Sequence, residues 1–282
     1  MIIVKVGGGT GINWNFVATD LKQLLVKEPV VLVHGAAAVR DEVAQKLATP
    51  TQTITSPSGI PSVYTDQPAL DIFLMVYPGL VNKKVVATLQ AHHVSAVGLS
   101  GVDGALWRAK RKANTLSQQG GKTKLLTDNL TGRVEQVNTE LIQLLIANGY
   151  LPVIAPPALS FSNEVVNTDS DWAVAIMAAA LQVKKVVYLF AAPGLLKDID
   201  EPTSLVKHIE AEKIDDYLPF AQGRMKRKVL GAKKALELGV EVVYWGDGRV
   251  ENPVTGALRG NGTTISRTTI SGSTISGAKT KL

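Results

Sequence analysis

The opening stretch MIIVKVGGG sets one cation, Lys5, inside an apolar run that ends in Gly7, Gly8 and Gly9. A lysine is rarely buried without a partner. If the run is a strand, Lys5 lies near its carboxyl end, where ligands bind in open α/β sheets. The glycines then let backbone N–H groups approach an anion closely. The plainer alternative is a lysine that snorkels beside a tight turn. VVLVHGAAA repeats the arrangement around Gly35 and Ala36. Two such turns would bring two helix N-termini, each favouring negative charge, to one crevice. AQGRMKRKVLGAKKAL adds Lys226, Arg227, Lys228, Lys233 and Lys234. Most of these read as a solvated basic face, and one of them as a phosphate ligand. NTDSDWAVA places Asn167, Asp169 and Asp171 at the head of an alanine-rich helix. Its carboxylates can be simple N-caps, can orient the cationic groups, or can hold Mg²⁺ through water.

Glycine turns, spaced lysines and an organising carboxylate suit phosphoryl transfer, in which the migrating group carries spread negative charge and catalysis rests on positioning and electrostatics. A carboxylate acceptor would already be ionised at neutral pH, since a Glu-like group has a pKa of about 4.3. The absence of a candidate histidine base agrees with such an acceptor.

These residues need a scaffold that gathers them. IIVKV, VVLVHG, VSAVGLSG, YLPVIAPP, VVYLF and VEVVYWGDG are short apolar runs separated by segments of helical spacing, such as NWNFVATDLKQLLVKE. That alternation predicts a mostly parallel sheet with helices on both faces. The segment LWRAKRKANTLSQQGGKTKLLTDNLTGRVEQV, near residues 105–135, is polar and turn-rich and reads as a β-hairpin or meander projecting from the sheet. A helix around 170–185 would lead from a first lobe (1–172) into a second (173–266). The Ser/Thr/Gly-rich tail 267–282, with its repeated TIS triplet, reads as disordered.

Other motifs fail. A dinucleotide fingerprint has Gly7 and Gly9, but Ile12 stands in place of its third glycine. GGKT at 120–123 lacks the leading glycine of a P-loop, since Leu116 stands there. His34, His92, His93 and His208 show no zinc spacing, and no metal held by direct protein ligation is expected. The chain has no cysteine, which points to a reducing, cytoplasmic setting. No apolar run looks long enough for a membrane span, and the start lacks the flanks of a signal peptide. The net charge of +6 suggests an acidic partner or phosphorylated ligand. Only 5% of residues are aromatic and they do not interleave with the basic clusters, so a nucleic-acid surface rests on charge alone.

KVGGG, VLVHGAAA, YTDQPALDIFLMVYPGLVNKKVV, VVNTDSDWAVA, VVYLFAAPGLL, GRMKRKV and DGRVENPVTGAL…GNGTTI together resemble the amino acid kinase superfamily, in its acetylglutamate kinase branch, from residue 1 to about 265. GLSGVDGALWRAKRK, APPALS and AQGRMKRKV are most similar to the LysW-type aminoadipate kinases within that branch. The resemblance implies a three-layer αβα sandwich of the carbamate kinase-like type. It implies a kinase that uses ATP and Mg²⁺ to phosphorylate the side-chain carboxylate of 2-aminoadipate or glutamate. The acceptor's amino group would be capped by the C-terminal glutamate of LysW, a small acidic amino-group carrier protein. By the same resemblance, Lys5 and Lys228 neutralise the migrating group from opposite ends. Asp171 orients both, with Asp169 in reserve because the NTDSD alignment slips by two residues. Gly8, Gly35 and Ala36 supply backbone donors and Asn167 holds the acceptor's α-side. Gly7, Gly9, Ala191, Gly194 and Lys228 lie near the nucleotide. Arg108, Lys110, Arg111 and Lys112, on the projecting hairpin, are candidates for docking the carrier. A homodimer is the default assembly, and the lack of an extra helix before MIIVKV argues against a hexamer.

Three departures fall at these sites. Val63 stands where the family usually has an arginine that clamps a substrate carboxylate. HGAAA replaces HGGG, although an alanine Cβ limits φ > 0 and close approach. Ala191 replaces a polar residue. Two other readings therefore stay open, a kinase of free N-acetylglutamate and a diverged paralogue with an altered acceptor or no catalysis.

Overall fold

The computed structural model describes residues 1–57, 59, 61–119, 122–221 and 223–267. The tail from residue 268 onward, and Gly120 and Gly121 of the GGKT stretch, lie outside the described residues.

The apolar runs form the strands of one mixed, mostly parallel sheet. At its centre Ile2–Val6 pairs in parallel with Val30–His34 on one side and Lys185–Phe190 on the other. Leu151–Ser160 and Val242–Asp247 extend it in parallel on the two flanks, and Ala96–Gly101 pairs in parallel with Leu151–Ser160. Thr263–Ser266 adds antiparallel to Val242–Asp247. Every residue of Ile2–Val6 and Val30–His34 is buried, as expected of strands covered on both faces. On one face Ile3, Val33, Tyr188 and Trp245 pack with residues of the helices Ser170–Ala180 and Arg224–Glu237. On the other, Ile2, Val4, Leu32 and Val187 pack with residues of Trp14–Leu25, Asn82–Ala91 and Pro253–Leu258. This is the expected three-layer sandwich.

The basic meander divides into two parts. Trp107–Arg111 and Thr131–Val137 pair antiparallel within the main sheet. Only Thr115–Gln119 and Lys122–Leu126 project, paired with each other, and Thr115–Gln119 also pairs with Thr53–Thr55, which in turn pairs with Pro61–Val63. The expectation that Arg108, Lys110 and Arg111 lie on the projecting hairpin is therefore corrected. Trp107, Ala109 and Val134 are fully buried at period-two spacing, and that alternation fixes the base of the meander in the core.

Residues Gln67–Ala91 form one continuous helical stretch, capped at its start by Asp66, whose Oδ1 accepts from Ala69 N–H at 3.0 Å. Pro78 has no N–H to donate, and Met75–Val81 widens into a π-turn around it. By length and apolarity alone this stretch would suit a bilayer. It is a core element here, with Leu70, Phe73, Val76, Val85 and Leu89 buried.

Asp20 locks the helix Trp14–Leu25 to Pro253–Leu258. It is fully buried, its Oδ2 accepts from Val254 N–H (2.7 Å) and Thr255 N–H (2.9 Å), and its Oδ1 accepts from Thr255 Oγ1 (2.8 Å). Truncation would leave three donors unsatisfied. Asp20→Ala should lower the unfolding free energy by about 3 kcal/mol, read from denaturant melts, and a loss below about 1 kcal/mol would contradict this role.

Candidate functional site

The sheet delivers Lys5 to the floor of a cleft of about 1420 Å³. Lys5 sits one residue from the end of its strand, opposite Val33 and Tyr188, and is 3% exposed. Asp171 enters from the first turn of Ser170–Ala180, and Lys228 from the second turn of Arg224–Glu237. Lys5 Nζ lies 2.5 Å from Asp171 Oδ1 and Lys228 Nζ lies 3.5 Å from Oδ2. Two ammonium groups, 57 residues from the carboxylate in one case and 166 in the other, thus converge on one side chain. Gly231 permits the approach, because a Cβ there would stand 3.0 Å from Asp171 Cβ and 3.2 Å from its carbonyl oxygen. A glycine inside a helix costs about 1 kcal/mol relative to alanine, and this close packing gives its reason.

The electrostatics follow from burial. Burial alone would raise the Asp171 pKa, but Lys228 and then Lys5 overcome it and hold the carboxyl well below the usual range. Burial lowers Lys228 to about 8, with Asp171 opposing that shift and Lys5 adding to it. Its ammonium also lies 5.6 Å from the centre of the Phe190 ring. Two cations face one carboxylate, so the floor of the cleft keeps an excess of positive charge in a poorly solvated place. Such a site favours an anion.

The ambiguity between Asp169 and Asp171 is resolved by capping geometry. Asp169 is the N-cap of Ser170–Ala180, its Oδ1 accepting from Asp171 N–H (2.8 Å) and Trp172 N–H (3.2 Å). Its Oδ2 pairs with Arg227 Nη1 at 3.3 Å. It holds the helix that presents Asp171 and does not itself bridge the lysines.

The glycine turns are also placed in detail. Gly7 N–H donates to Leu189 O (2.8 Å) and Gly35 N–H to Val6 O (3.0 Å), so both continue the sheet. Gly35 lines the cleft, but its N–H is not available as a donor to ligand. The Ala36 side chain is buried in the cluster around Leu70 and Phe73, while its backbone N lies beside Gly8. Gly8, Gly9 and Ala37 line the cleft, and their N–H groups bond to no other described residue. The alanines fit because Ala36 has φ −147°, on the side open to any L-residue, and Ala37 begins a helix. Gly8 is the position that tolerates nothing larger. A Cβ there would lie 2.4 Å from Ala36 N and 2.5 Å from Ala37 N.

Val63 and Asn167 line the same cleft, as does Ala191. Gly194 does not. Its φ is +156°, and a Cβ would meet Thr263 Oγ1 at 2.5 Å, the hydroxyl that accepts from Leu195 N–H. Its role is to pack the following loop on the last strand. Of the docking candidates, Arg108 donates to Asn163 Oδ1 and Phe161 O, and Arg111 pairs with Glu164 at 2.5 Å. Lys110 is exposed on the main sheet. Lys112 belongs to the cleft wall, where burial and then Arg133 lower its pKa although the residue as a whole is exposed.

Several cleft residues carried little signal in the sequence. Arg227 read as part of a solvated face, yet its Nη2 donates to Pro61 O, two residues from Val63. Arg133 stacks 4.4 Å over the Trp172 ring. Arg40 is nearly buried, pairs with Asp41 and lies 5.1 Å from the Phe73 ring centre. The aromatic positions of the Gln67–Ala91 stretch could have suggested Phe73 and Tyr77, which are stacked 4.9 Å apart.

Known proteins share this architecture. The sequence profile of the amino acid kinase family matches residues 1–244. The [LysW]-aminoadipate kinase of Thermus thermophilus is 48% identical over 94% of this chain and 100% of its own length. The solved structure of N-acetylglutamate synthase from Neisseria gonorrhoeae superposes with a TM-score of 0.72 at 23% identity, covering 95% of this chain, which spans 59% of that one. Giardia carbamate kinase superposes with a TM-score of 0.65 at 14% identity, over 95% of this chain and 98% of its own. At such identities the two structures speak for the fold.

The shared carboxylate makes a signed prediction. Lys228 should titrate near pH 8 when followed by the ¹³Cε shift of labelled lysine. Because Asp171 holds that pKa up, Asp171→Asn should move the transition to lower pH. A Lys228 signal that titrates at the ordinary lysine value of about 10.4 in both proteins would contradict the geometry.

Proposed function

The chain belongs to the amino acid kinase family, and we propose that it phosphorylates the side-chain carboxylate of an amino acid, 2-aminoadipate or glutamate, carried by its amino group on the C-terminus of a small acidic protein. The observation that carries this reading is the pair of buried lysines held on Asp171 at the floor of the cleft. A carboxylate oxygen of the acceptor, already ionised, attacks the γ-phosphorus of ATP. The bond from that phosphorus to the β–γ bridging oxygen breaks, ADP leaves and an acyl phosphate forms. No proton has to be removed, so no general base is needed. Lys5 and Lys228 offset the charge on the moving group, and the free N–H groups of Gly8, Gly9 and Ala37 add donors that require no reorganisation. Asp171 positions both lysines.

The cleft exceeds what one drug-sized ligand fills, which suits nucleotide and acceptor together. In the proposed arrangement residues 1–172 hold the acceptor and 173–266 the nucleotide. Mg²⁺ would come as the counter-ion of the nucleotide phosphates. Asp171 is engaged by two lysines and Asp169 by helix N–H groups and Arg227, and among the described residues no three His, Asp or Glu side chains gather. The homodimer belongs to the same proposal, as does a cytoplasmic setting.

A free amino acid would leave the outer cations of the cleft without a purpose. Lys112, Arg133 and Arg227 line its wall, with Asp169 as the neighbouring anion. Val63 removes the usual arginine from the acceptor side, and Arg227 brings a guanidinium to the same strand from the opposite lobe. An acidic carrier would be steered to this rim, with association weakened by salt.

The test is acyl phosphate formation, trapped as hydroxamate, with purified carrier conjugate against free 2-aminoadipate and free N-acetylglutamate. Product should form with the conjugate alone, and kcat/KM should fall about tenfold between low and moderate salt. Equal turnover of free N-acetylglutamate, without salt dependence, would favour the free-acid kinase instead. Arg227→Ala should raise KM for the conjugate about tenfold, the loss of one charge-assisted contact, with KM for ATP nearly unchanged. An equal rise in both would contradict its place on the acceptor side.

A further inference from the structure

We propose that Asn129 is a positioning residue that sets the acceptor-side amide of Asn167 and couples it to the projecting hairpin; this rests on the acceptor reading above. Asn129 lies in the polar segment TDNLTG and is 1% exposed. Both ends of its carboxamide are committed in opposite directions. Its Oδ1 accepts from Thr65 N–H at 3.0 Å, and its Nδ2 donates to Thr115 Oγ1 at 3.0 Å. Reversing the amide would set its NH₂ against the Thr65 N–H, donor against donor, so its orientation is fixed.

Thr65 passes the constraint on. It is fully buried, and its hydroxyl donates to Val63 O (3.2 Å) while accepting from Asn167 Nδ2 (3.0 Å). The backbone runs alongside, with Leu130 N–H donating to Thr65 O (2.6 Å) and Asn167 N–H donating to Leu130 O (2.9 Å). On the solvent side the Tyr64 hydroxyl donates to Asp128 Oδ2. Segments 63–65 and 128–130 are thus zipped together, and Asn167 is held by both its backbone and its side chain. Thr115, the other partner of Asn129, is the first residue of the projecting hairpin.

The chain of contacts contains no charged side chain between Thr115 and Asn167, and it reaches none of Lys5, Asp171 or Lys228. It ends on the cleft wall, which Thr115, Asn129 and Asn167 all line. A satisfied buried amide in low dielectric fixes geometry more sharply than an apolar residue of the same size. Its effect therefore belongs to acceptor placement and not to the nucleotide, and a displacement of about 1 Å in a positioning shell can cost a hundredfold in rate.

The experiment compares the natural chain with Asn129→Leu, Asn129→Asp and Thr115→Val. Two readouts are taken on each: the side-chain amide NMR signal of Asn167, and KM for the carrier conjugate against KM for ATP. Asn129→Leu should shift the Asn167 signal toward that of a free amide and raise KM for the conjugate about tenfold, leaving KM for ATP within twofold. Asn129→Asp keeps the acceptor for Thr65 N–H and lets the Thr115 hydroxyl turn and donate, so it should recover most of the loss. Thr115→Val breaks only the hairpin arm and should move both readouts in the same direction by a smaller amount. An unmoved Asn167 signal in folded Asn129→Leu would overturn the proposal. So would a moved signal with KM for the conjugate unchanged, or an equal rise in KM for ATP. If the natural chain does not turn over the conjugate, the acceptor reading fails by itself, and the Asn167 signals of the Asn129→Leu and Thr115→Val proteins still decide the coupling.

Discussion

One carboxylate between two buried ammonium groups is the constraint on which the rest of the structure depends. Lys5 and Lys228 could not lie so near each other in a dry place without Asp171, since like charges at that depth repel strongly. Asp171 alone would be driven toward its neutral form by burial. Together they leave one positive charge in excess, fixed before any ligand arrives. Each supporting element serves this arrangement. The first strand fixes Lys5 by its register with two neighbours. Asp169 caps the helix that presents Asp171, and Gly231 lets the Lys228 helix sit against it.

The lining of the cleft divides by chemistry. At its floor are buried lysines and backbone donors from two strand-to-helix turns, a setting for a charge that moves. Its lining also holds Val63, Phe73 and Tyr77 and the cations Lys112, Arg133 and Arg227, a setting for an anionic acceptor. Arg227 and Lys228 are consecutive, yet they meet different partners, one Pro61 O and Asp169 and the other Asp171. The helix beginning at Arg224 therefore meets both the Pro61–Val63 strand and the carboxylate at the floor.

Much of the floor was legible in the sequence because its signals are local. A lysine inside an apolar strand, glycines after it and acidic residues at a helix start are each visible within a few positions. The layered fold was legible for a similar reason, since the strands are continuous apolar runs. What the sequence could not supply depended on partners far along the chain. The Asp169 and Asp171 assignments differ only in which carboxylate points along the helix cap. Gly35 sits in the turn that faces Gly8, but pairing with Val6 takes up its N–H. Gly194 looked like a nucleotide glycine because of the residues beside it, and Thr263 explains it instead. Arg227 and Asn129 are ordinary in composition and acquire meaning only from Pro61, Thr65 and Thr115. The meander misled on its boundaries because its basic residues alternate with a buried Trp107 and Ala109, and the charges were more conspicuous than the alternation.

The central claim is that Lys5 and Lys228 act as a unit on the terminal phosphate of a nucleotide. The most direct measurement is the affinity of ATP relative to ADP, by calorimetry, in the natural chain, Lys5→Met, Lys228→Met and the double variant. The natural chain should prefer ATP, each single change should remove most of that preference, and the double change should add little further. A preference for ATP that survives in both single variants would contradict the central claim.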